Sequence, residues 1–244
     1  MRTIKARETA HQACEHELRR AVISGELAAG ARLPPERELA ITLGVSRLTL
    51  RAALAALTAQ GLIAVRHGSG YLVRDFARDG GAELLPVVTD LAVERGELAP
   101  LAAELLRVRR HLARAVLEHL VEHPPKTAAL RGFDAAVDAM AAVAAQAPDV
   151  ELAAAADLAV VAALLDATSS PVLRLCLNPV VAVVSGSPQL RATLYADPAS
   201  NVAGWRVLGA WLRRPTANID SIATLLAARD AATLARLTPR RRAR

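Results

Sequence analysis

The side chains best equipped for chemistry in the first third of the chain are basic or hydroxylic, and five of them lie within fifteen residues. They are Arg37, Ser46, Arg47, Thr49 and Arg51. A guanidinium can donate two parallel hydrogen bonds to guanine or pair with phosphate, and a hydroxyl can contact phosphate or a base edge. On one exposed surface, such a cluster would read duplex DNA. The alternative is that each arginine is a solvated surface charge, which is commoner for an isolated arginine.

The local sequence predicts the elements that would present this cluster. Ser46 is suited to cap a helix, and Leu50, Leu54 and Leu57 recur at the spacing of one buried helical face. Gly61 then ends that helix. The predicted elements are helices over 8–25, 35–44 and 46–61 and strands over 62–66 and 71–74. This order is typical of a winged helix-turn-helix, whose recognition helix enters the major groove by its N-terminal end.

The loop between the two predicted strands is a second candidate contact. It consists of His67, Gly68, Ser69 and Gly70. Such a loop is narrow enough to approach the minor groove, and glycine lets backbone N–H groups come close to phosphate. We therefore predict that His67 and Gly68 contact DNA.

Positive charge is concentrated at the two ends of the chain. The 244 residues carry a net charge of +6, which divides into +4 over residues 1–80, −2 over 81–238 and +4 over 239–244. A basic N-terminal part joined to a near-neutral remainder favours a nucleic-acid-binding domain attached to a second domain. Aromatic residues make up only 2% of the chain. This argues against a reader of single-stranded nucleic acid, because such readers need stacking platforms.

Cysteine usage and hydropathy indicate a reducing compartment. The two cysteines, Cys14 and Cys176, are too few for a disulfide framework. The N-terminus lacks the apolar core of a signal peptide, and the longest apolar stretch, residues 152–165, is too short to span a bilayer. We therefore expect a cytoplasmic protein without a membrane partner.

Residues after the predicted wing show helical periodicity only, with proline or glycine at most joints. We predict a mainly α fold with a winged helix-turn-helix over 1–76, a linker over 77–81, a helical effector-binding and dimerisation domain over 82–238, and a basic tail over 239–244. The helices of the second domain are predicted at 82–94, 98–123, 126–145, 149–169, 172–186, 200–213 and 217–237. The tail is either a disordered end or a source of nonspecific phosphate attraction.

The winged segment carries a specific combination of residues. They are Gly25, Gly30, the run from Leu33 to Ala40, Gly44 to Arg47, Arg51, Leu54, Leu57, Gly61 to Ile63 and Gly68 to Gly70. Over residues 10–76 this pattern closely resembles the DNA-binding domain of the GntR family of bacterial transcription regulators. The DNA contacts that the resemblance implies are Arg37, Arg47, Thr49 and Arg51, with His67 and Gly68 in the wing. Leu48 stands where some relatives carry a polar residue, and its side chain could contact a thymine methyl group.

Two stretches of the helical part carry a second resemblance. One runs from Leu105 to Arg110, and the other runs from Asp157 to Leu173 and is followed by Leu177 and Asn178. They resemble the FadR-type branch of the GntR family. That resemblance implies a helical bundle that binds an effector and controls DNA affinity. Most members of the branch hold a divalent metal with one aspartate and three histidines.

This chain departs from that metal-binding pattern. Asp157 matches the acidic ligand, but Val161 stands where a histidine would follow four residues later, and none of the six histidines lies after His123. A zinc-like site needs three or four converging ligands. We therefore predict no metal and no other cofactor. His119 and His123 are expected to be solvated or to cap a helix.

The expected ligand is a small organic effector. Metal-free relatives include a fatty-acid-responsive regulator that binds long-chain acyl-CoA, so the resemblance makes acyl-CoA one candidate. The predicted effector-binding residues are Arg109, Asp157 and Val161. Apolar residues that could line a tunnel are Leu158, Val161, Leu165, Leu173, Leu177, Val180, Val181 and Val184. Two alternatives stay open, because such a stripe can be core packing and Arg109 can form a surface salt bridge.

Together these features predict a sequence-specific transcription regulator that acts as a homodimer on a palindromic operator. A second possibility is a ligand-independent DNA-binding accessory protein whose helical domain serves only dimerisation. An enzyme is not expected. The related aminotransferase fusions need a longer α/β domain and a Schiff-base lysine, whereas this chain has only Lys5 and Lys126. No Ser-His-Asp set, phosphate-binding loop or HExxH motif is recognisable.

Overall fold

The structure is a computed structural model, and it describes residues 9–66, 68, 70–146, 149–216 and 218–237. The chain divides into two compact units, Met1–Leu91 and Ala92–Arg244. Both units are built mainly from α-helices, and a two-stranded sheet lies in the first. The predicted mainly α fold class is therefore confirmed.

The first unit contains a winged helix-turn-helix. Its elements are α1 (Ala10–Ser24), α2 (Glu36–Thr42), α3 (Arg47–Ala59), β1 (Ile63–Arg66), β2 (Gly70–Val73) and α4 (Phe76–Asp79). The bend between α2 and α3 is 105°, which lies within the usual range for a helix-turn-helix. A short 3-10 helix, Ala82–Leu84, comes next, and α5 (Leu85–Glu94) then continues across the division between the units.

Leucines anchor α3 to the first unit. Leu50, Leu54 and Leu57 are completely buried, as the spacing predicts, and α3 packs against α1, whose buried residues include Leu18 and Val22. Complete burial of one leucine side chain contributes about 1.5–3 kcal/mol. This stripe therefore decides which face of α3 stays outside.

The wing is an antiparallel hairpin supported by a third extended segment. Its register pairs Ile63 with Val73. Residues 30–33 lie along the other edge of β2, where the N–H of Leu33 donates to the carbonyl of Tyr71 at 3.0 Å. Sequence analysis did not predict this third segment, because its glycine and prolines indicate the end of α1 more strongly than a strand.

The predicted linker at 77–81 is partly helical. Helix α4 covers Phe76–Asp79, and Asp75 caps it by accepting a hydrogen bond from the N–H of Ala77 at 3.1 Å. Leu84 and Val87, which follow the linker, are buried in the core of the first unit. The compact units thus divide later than the linker, and the domain limits 1–76 and 82–238 stay a prediction.

The second unit is a bundle of helices. They are α6 (Leu98–Glu122), α7 (Thr127–Ala144), α8 (Val150–Thr168), α9 (Pro171–Gly186), α10 (Pro188–Leu194), α11 (Pro198–Leu212) and α12 (Asp220–Leu237). All except α10 were expected, with bounds that differ by one to three residues at most ends. The core includes Leu120, Phe133, Met140, Val160 and Leu212. The predicted tail, 239–244, lies outside the described residues.

One local signal begins three helices of the second unit. In each case a serine or aspartate side chain accepts a hydrogen bond from the third N–H of the helix, and proline occupies the first helical position. The pairs are Ser170-Pro171, Ser187-Pro188 and Asp197-Pro198. Because α10 has only seven residues, its apolar periodicity is too short to recognise, and the cap was the available signal.

Within the described residues, no single helix has the length and apolar composition needed to cross a membrane. Two bent pairs, α2 with α3 and α9 with α10, reach the required length and composition only when each pair is taken together.

Candidate nucleic-acid interface and effector cavity

Two hydroxyl side chains, those of Ser46 and Thr49, lie together at the start of α3. Ser46 caps the helix, since its Oγ accepts a hydrogen bond from the N–H of Thr49 at 3.0 Å. The same oxygen lies 2.8 Å from the hydroxyl of Thr49. Ser46 is exposed and Thr49 is half-buried. Both hydroxyls lie at the N-terminal end of α3, and the hydrogen bond between them fixes their positions.

The three predicted arginine contacts are all exposed. Arg37 lies in the first turn of α2, and Arg47 is the first residue of α3. The Nε of Arg51 donates to Glu36 at 2.7 Å, while its side chain remains 67% exposed. This hydrogen bond raises the pKa of Arg51. Glu36 therefore orients the guanidinium without removing it from solvent.

The outer face of α3 is otherwise apolar and mostly small. Leu48 is 80% exposed, and Ala52 and Ala55 are exposed on the following turns. Small side chains allow a helix to approach a groove closely, and apolar groups can contact thymine methyls. Sequence analysis identified Leu48 but missed the two alanines, which are indistinguishable from ordinary helix formers.

The tip of the wing is described only in part. Gly68 has a φ of +73° and Gly70 a φ of +79°, and no described atom lies within 4 Å of a Cβ placed on either residue. The left-handed conformation explains why glycine is favoured at both positions. His67 and Ser69 lie outside the described residues, so the contact of His67 stays a prediction.

A cavity of about 200 Å³ lies within the second unit. Residues from α6 and from α8 to α12 line it, and they include the three predicted effector-binding residues Arg109, Asp157 and Val161. Seven of the eight predicted tunnel residues also line it: Leu158, Val161, Leu165, Leu177, Val180, Val181 and Val184. The eighth, Leu173, packs against the core instead.

Asp157 lies at the centre of a cluster of polar side chains in the cavity wall. Its Oδ2 accepts a hydrogen bond from the hydroxyl of Tyr195 at 3.1 Å, and its Oδ1 accepts one from the indole N–H of Trp205 at 2.6 Å. The guanidinium of Arg229 lies 3.7 Å from Oδ1. Burial raises the pKa of Tyr195, and the neighbouring Asp157 carboxylate adds to this effect.

Arg109 forms a salt bridge, as its alternative role requires, but its partner Asp230 is buried and does not lie at the surface. Its guanidinium donates to Asp230, which is completely buried, and Arg110 donates to the other carboxylate oxygen of Asp230 at 2.8 Å. The side chain of Arg109 is 22% exposed. Burial lowers the pKa of Arg109, while the Asp230 carboxylate opposes that shift. Its Nε is buried and has no hydrogen-bond partner among the described residues.

The residues present do not fit the metal site that the FadR-type resemblance implies. Both oxygens of Asp157 already accept hydrogen bonds, and Val161 offers no ligand atom. His119 contacts the carbonyl of Thr168 through Nε2 at 3.0 Å, and His123 ends α6. Across the described ranges, no group of three or more His, Cys, Asp or Glu side chains could hold a metal ion.

Sequence analysis missed two polar residues that line the cavity, Trp205 and Arg229, and a third, Asp230, that pairs with the lining residue Arg109. Trp205, Arg229 and Asp230 come from α11 and α12, and no motif marks them. The available signal was the adjacent charged pair Arg229-Asp230 in the middle of a helix with few other charges. A charge pair at such a position indicates partners on a neighbouring element.

Comparison with known proteins identifies the first unit. The family model described as bacterial regulatory proteins, gntR family, matches residues 10–73. This segment is a GntR-family helix-turn-helix domain. The GntR match covers α1, α2, α3 and both strands of the wing, which are the elements that present Arg37, Arg47 and Arg51.

Relatives of this GntR domain are named as transcriptional regulators. HTH-type transcriptional regulator Mce2R of Mycobacterium tuberculosis is 41% identical over 109 residues, which cover 45% of this chain and 40% of that protein. Fatty acid metabolism regulator protein of Shewanella amazonensis is 31% identical over 109 residues, 45% of each chain. The matches thus span less than half the length of these relatives. Their names agree with the prediction that the chain is not an enzyme.

A solved structure resembles nearly the whole chain. Lar, which controls the expression of the Listeria monocytogenes agr system, has a TM-score of 0.59 at 18% identity, covering 96% of this chain and 98% of its own. At that identity the likeness shows a shared fold and nothing about ligands.

Proposed function

We propose that this chain is a sequence-specific transcription regulator that acts in the cytoplasm, binds duplex DNA with its first unit and binds an organic effector with its second. The observation that carries the proposal is the N-terminal part of α3. There Arg47 and Arg51 are exposed, while Leu50 and Leu54 are fully buried beneath them. A helix anchored on one side and cationic on the other is suited to the major groove.

The proposed contacts divide by chemistry. Arg47 and Arg51 reach base edges, where a bidentate pair with guanine is worth about 1–3 kcal/mol of discrimination. Arg37 and the hydroxyls of Ser46 and Thr49 contact phosphate and set the position of α3 on the duplex. The wing follows the minor groove, with His67 and Gly68 near phosphate.

We expect a homodimer that binds a palindromic operator, because the exposed face of α3 that would contact base pairs is small. One recognition helix contacts only a few base pairs, so two copies related by a two-fold axis would double the sequence that is read. We assign dimerisation to the second unit, because the first unit would be engaged with DNA.

The cavity in the second unit supports the effector role. Its walls are largely leucine and valine, with charged groups from Arg109, Asp157 and Arg229 at the lining. A ligand with an apolar body and a polar end matches this arrangement. Similarity to a protein named as a fatty acid metabolism regulator favours an acyl group, and acyl-CoA is one such effector. Its binding would shift the population between forms of different DNA affinity.

DNA binding is tested by fluorescence anisotropy with the promoter beside the gene for this protein and with scrambled DNA of equal length. We expect selective binding that weakens as salt rises, because arginine contacts release counterions. Arg47→Ala should lower affinity for the selected site about tenfold or more. Arg174→Ala is the matched control, since Arg174 is exposed in the second unit and pairs with Asp166. Equal affinity for both DNAs would contradict the proposal.

Effector binding is tested separately by mass spectrometry of small molecules that co-purify with the chain. A retained acyl compound that changes DNA affinity when it is added back supports the sensor. DNA binding that no ligand alters would favour the accessory protein, in which the second unit serves only dimerisation.

A further inference from the structure

We propose that molecules enter the cavity of the second unit between α11 and α12, and that the missing side chain at Gly204 determines which molecules can enter. The route passes between Gly204 of α11 and Leu225 of α12, and we call this opening the mouth. This inference rests on the proposed effector cavity, but it depends neither on the identity of the effector nor on DNA binding by the first unit.

Solvent exposure locates the mouth. Most residues that line the cavity are buried or half-buried. Of the lining residues within the described ranges, two are exposed, Gly204 and Leu225, and Leu225 is 49% exposed. They belong to α11 and α12, which contact each other. The wall of the cavity therefore reaches the surface where these two helices meet.

Packing does not explain the glycine at position 204. Glycine weakens the interior of a helix relative to alanine, so a glycine there needs a packing or functional reason. Gly209 of the same helix has a packing reason, because a Cβ on it would lie 3.2 Å from the ring of Phe133. A Cβ on Gly204 would have no described atom within 4 Å beyond its own stretch of helix. The missing side chain therefore leaves open space at the mouth.

Both sides of the mouth are tied to Asp157. On α11, the residue after Gly204 is Trp205, whose indole N–H donates to Asp157 at 2.6 Å. On α12, Arg229 lies one turn after Leu225, and its guanidinium is 3.7 Å from the same carboxylate. Because these contacts hold the two helices, the side chains at positions 204 and 225 set the width of the mouth.

The rim of the mouth is apolar. Leu225 borders it on α12, and Val207, which is 44% exposed, follows Gly204 by one turn on α11. Exposed apolar side chains beside a cavity are typical of ligand-binding grooves. The mouth therefore suits a narrow apolar group, such as an alkyl chain or a single aromatic ring, and a side chain at position 204 would obstruct it.

The test measures how fast reagents reach a thiol inside the cavity of the full chain. Val116→Cys places this thiol at a buried lining position on α6, and Cys176→Ser removes the exposed native thiol. The reagents are methyl and benzyl methanethiosulfonate, which react by the same disulfide exchange and differ in width. Peptide mass spectrometry follows the new thiol separately from Cys14, which is buried.

In this parent variant, Gly204→Leu should slow both reactions. The reaction of the benzyl reagent should fall about tenfold or more, because the reagent must then wait for local opening of the bundle. Gly132→Leu is the matched control, since Gly132 on α7 has equally open surroundings and does not line the cavity. It reproduces the gain in helix propensity and should leave both rates unchanged.

Leu225→Ala should have the opposite effect. It widens the mouth, so the benzyl reagent should gain more speed than the methyl reagent. Leu152→Ala, which removes an exposed leucine of α8 that does not line the cavity, should change neither rate. Circular dichroism verifies that each variant is folded. Should Gly204→Leu fail to fold, Gly204→Ala and the rate ratio of the two reagents in Leu225→Ala still decide the question.

Two results would overturn the inference. One is that Gly204→Leu reacts as fast as Gly132→Leu, and the other is that neither reagent reaches the thiol faster than global unfolding allows. Effector retention and DNA affinity are measured independently on the unaltered chain. A chain with an open mouth whose DNA binding no ligand alters would contradict the proposed sensor while leaving the route into the cavity intact.

Discussion

At the scale of single residues, Leu48 is the side chain whose exposure most needs an explanation. It is 80% exposed at the start of α3, where the Thr49 hydroxyl is engaged with Ser46 and the Nε of Arg51 with Glu36. A leucine among cationic neighbours contributes nothing to hydrogen bonding. Contact with a thymine methyl would give it a role in sequence preference.

We therefore predict that replacing thymine by uracil at one operator position weakens binding of the unaltered chain. Burial of one methyl is worth about 0.8 kcal/mol, which corresponds to roughly fourfold in affinity. In Leu48→Ala this difference should disappear. Leu152→Ala, which removes an exposed leucine from the second unit, should keep it. Anisotropy with matched thymine and uracil duplexes measures the effect, and equal sensitivity of Leu48→Ala would refute it.

Tyr195 gives a prediction about pH. Burial and Asp157 raise its pKa above the ordinary value of 10.0, so the folded chain keeps the phenol protonated when the unfolded chain has lost that proton. The contribution of Tyr195 to stability is complete below pH 10 and decreases as pH rises above it. Urea unfolding between pH 8 and about 11 should show this loss, and Tyr195→Phe should reduce its slope. An unchanged slope in Tyr195→Phe would contradict the assignment.

At the scale of elements, ion pairs hold α12 in the second unit. Asp230 accepts from Arg109 and Arg110 of α6, and Asp220 at the start of α12 accepts from Arg114 at 3.0 Å. The two carboxylates differ in burial, because Asp230 is fully buried whereas the Asp220 side chain is 77% exposed. The buried pair should therefore dominate the attachment of α12.

Asp230→Asn should lower the free energy of unfolding by about 3 kcal/mol, because it leaves buried guanidiniums without their counter-charge. Asp220→Asn, on the same helix, should cost less than about 1 kcal/mol. Chemical denaturation measures both values, and hydrogen exchange should show α12 losing protection first in Asp230→Asn. Comparable costs for the two variants would show that burial does not decide the strength of this attachment.

At the scale of the whole molecule, the chain joins a unit that contains the GntR-family helix-turn-helix segment to a helical unit with a cavity. The two units have separate hydrophobic cores. For a proposed regulator this separation means that DNA contact and ligand contact are testable one at a time.

If two copies read a palindrome, the spacing of the half-sites must matter. Inserting about five base pairs rotates one half-site to the opposite side of the duplex. We expect this insertion to lower affinity about tenfold or more, and an insertion of about ten base pairs to restore part of it. Electrophoretic mobility shifts with spaced operators measure this. Affinity that does not vary with spacing would indicate that each chain binds alone.

Local signals made much of the first unit predictable. Ser46 caps α3, Leu50 and Leu54 mark its buried face, and Gly61 ends it. Each of these residues affects only the conformation of the chain close to it in the sequence. The winged helix-turn-helix and its exposed arginines can therefore be predicted from the amino-acid sequence. The short helices α4 and α10 do not, because four or seven residues contain too little periodicity.

The sequence by itself determined the longer helices and the wing, the buried face of α3, and that Arg109, Asp157 and Val161 belong to one unit. Only the tertiary structure decided the electrostatic partners in the cavity. Arg109 meets Asp230 across 121 residues, and Asp157 meets Trp205 across 48. Hydrophobic burial sets which faces turn inward, but it is non-directional. Which polar groups meet there depends on how the helices pack, and no signal in a short stretch of chain encodes that arrangement.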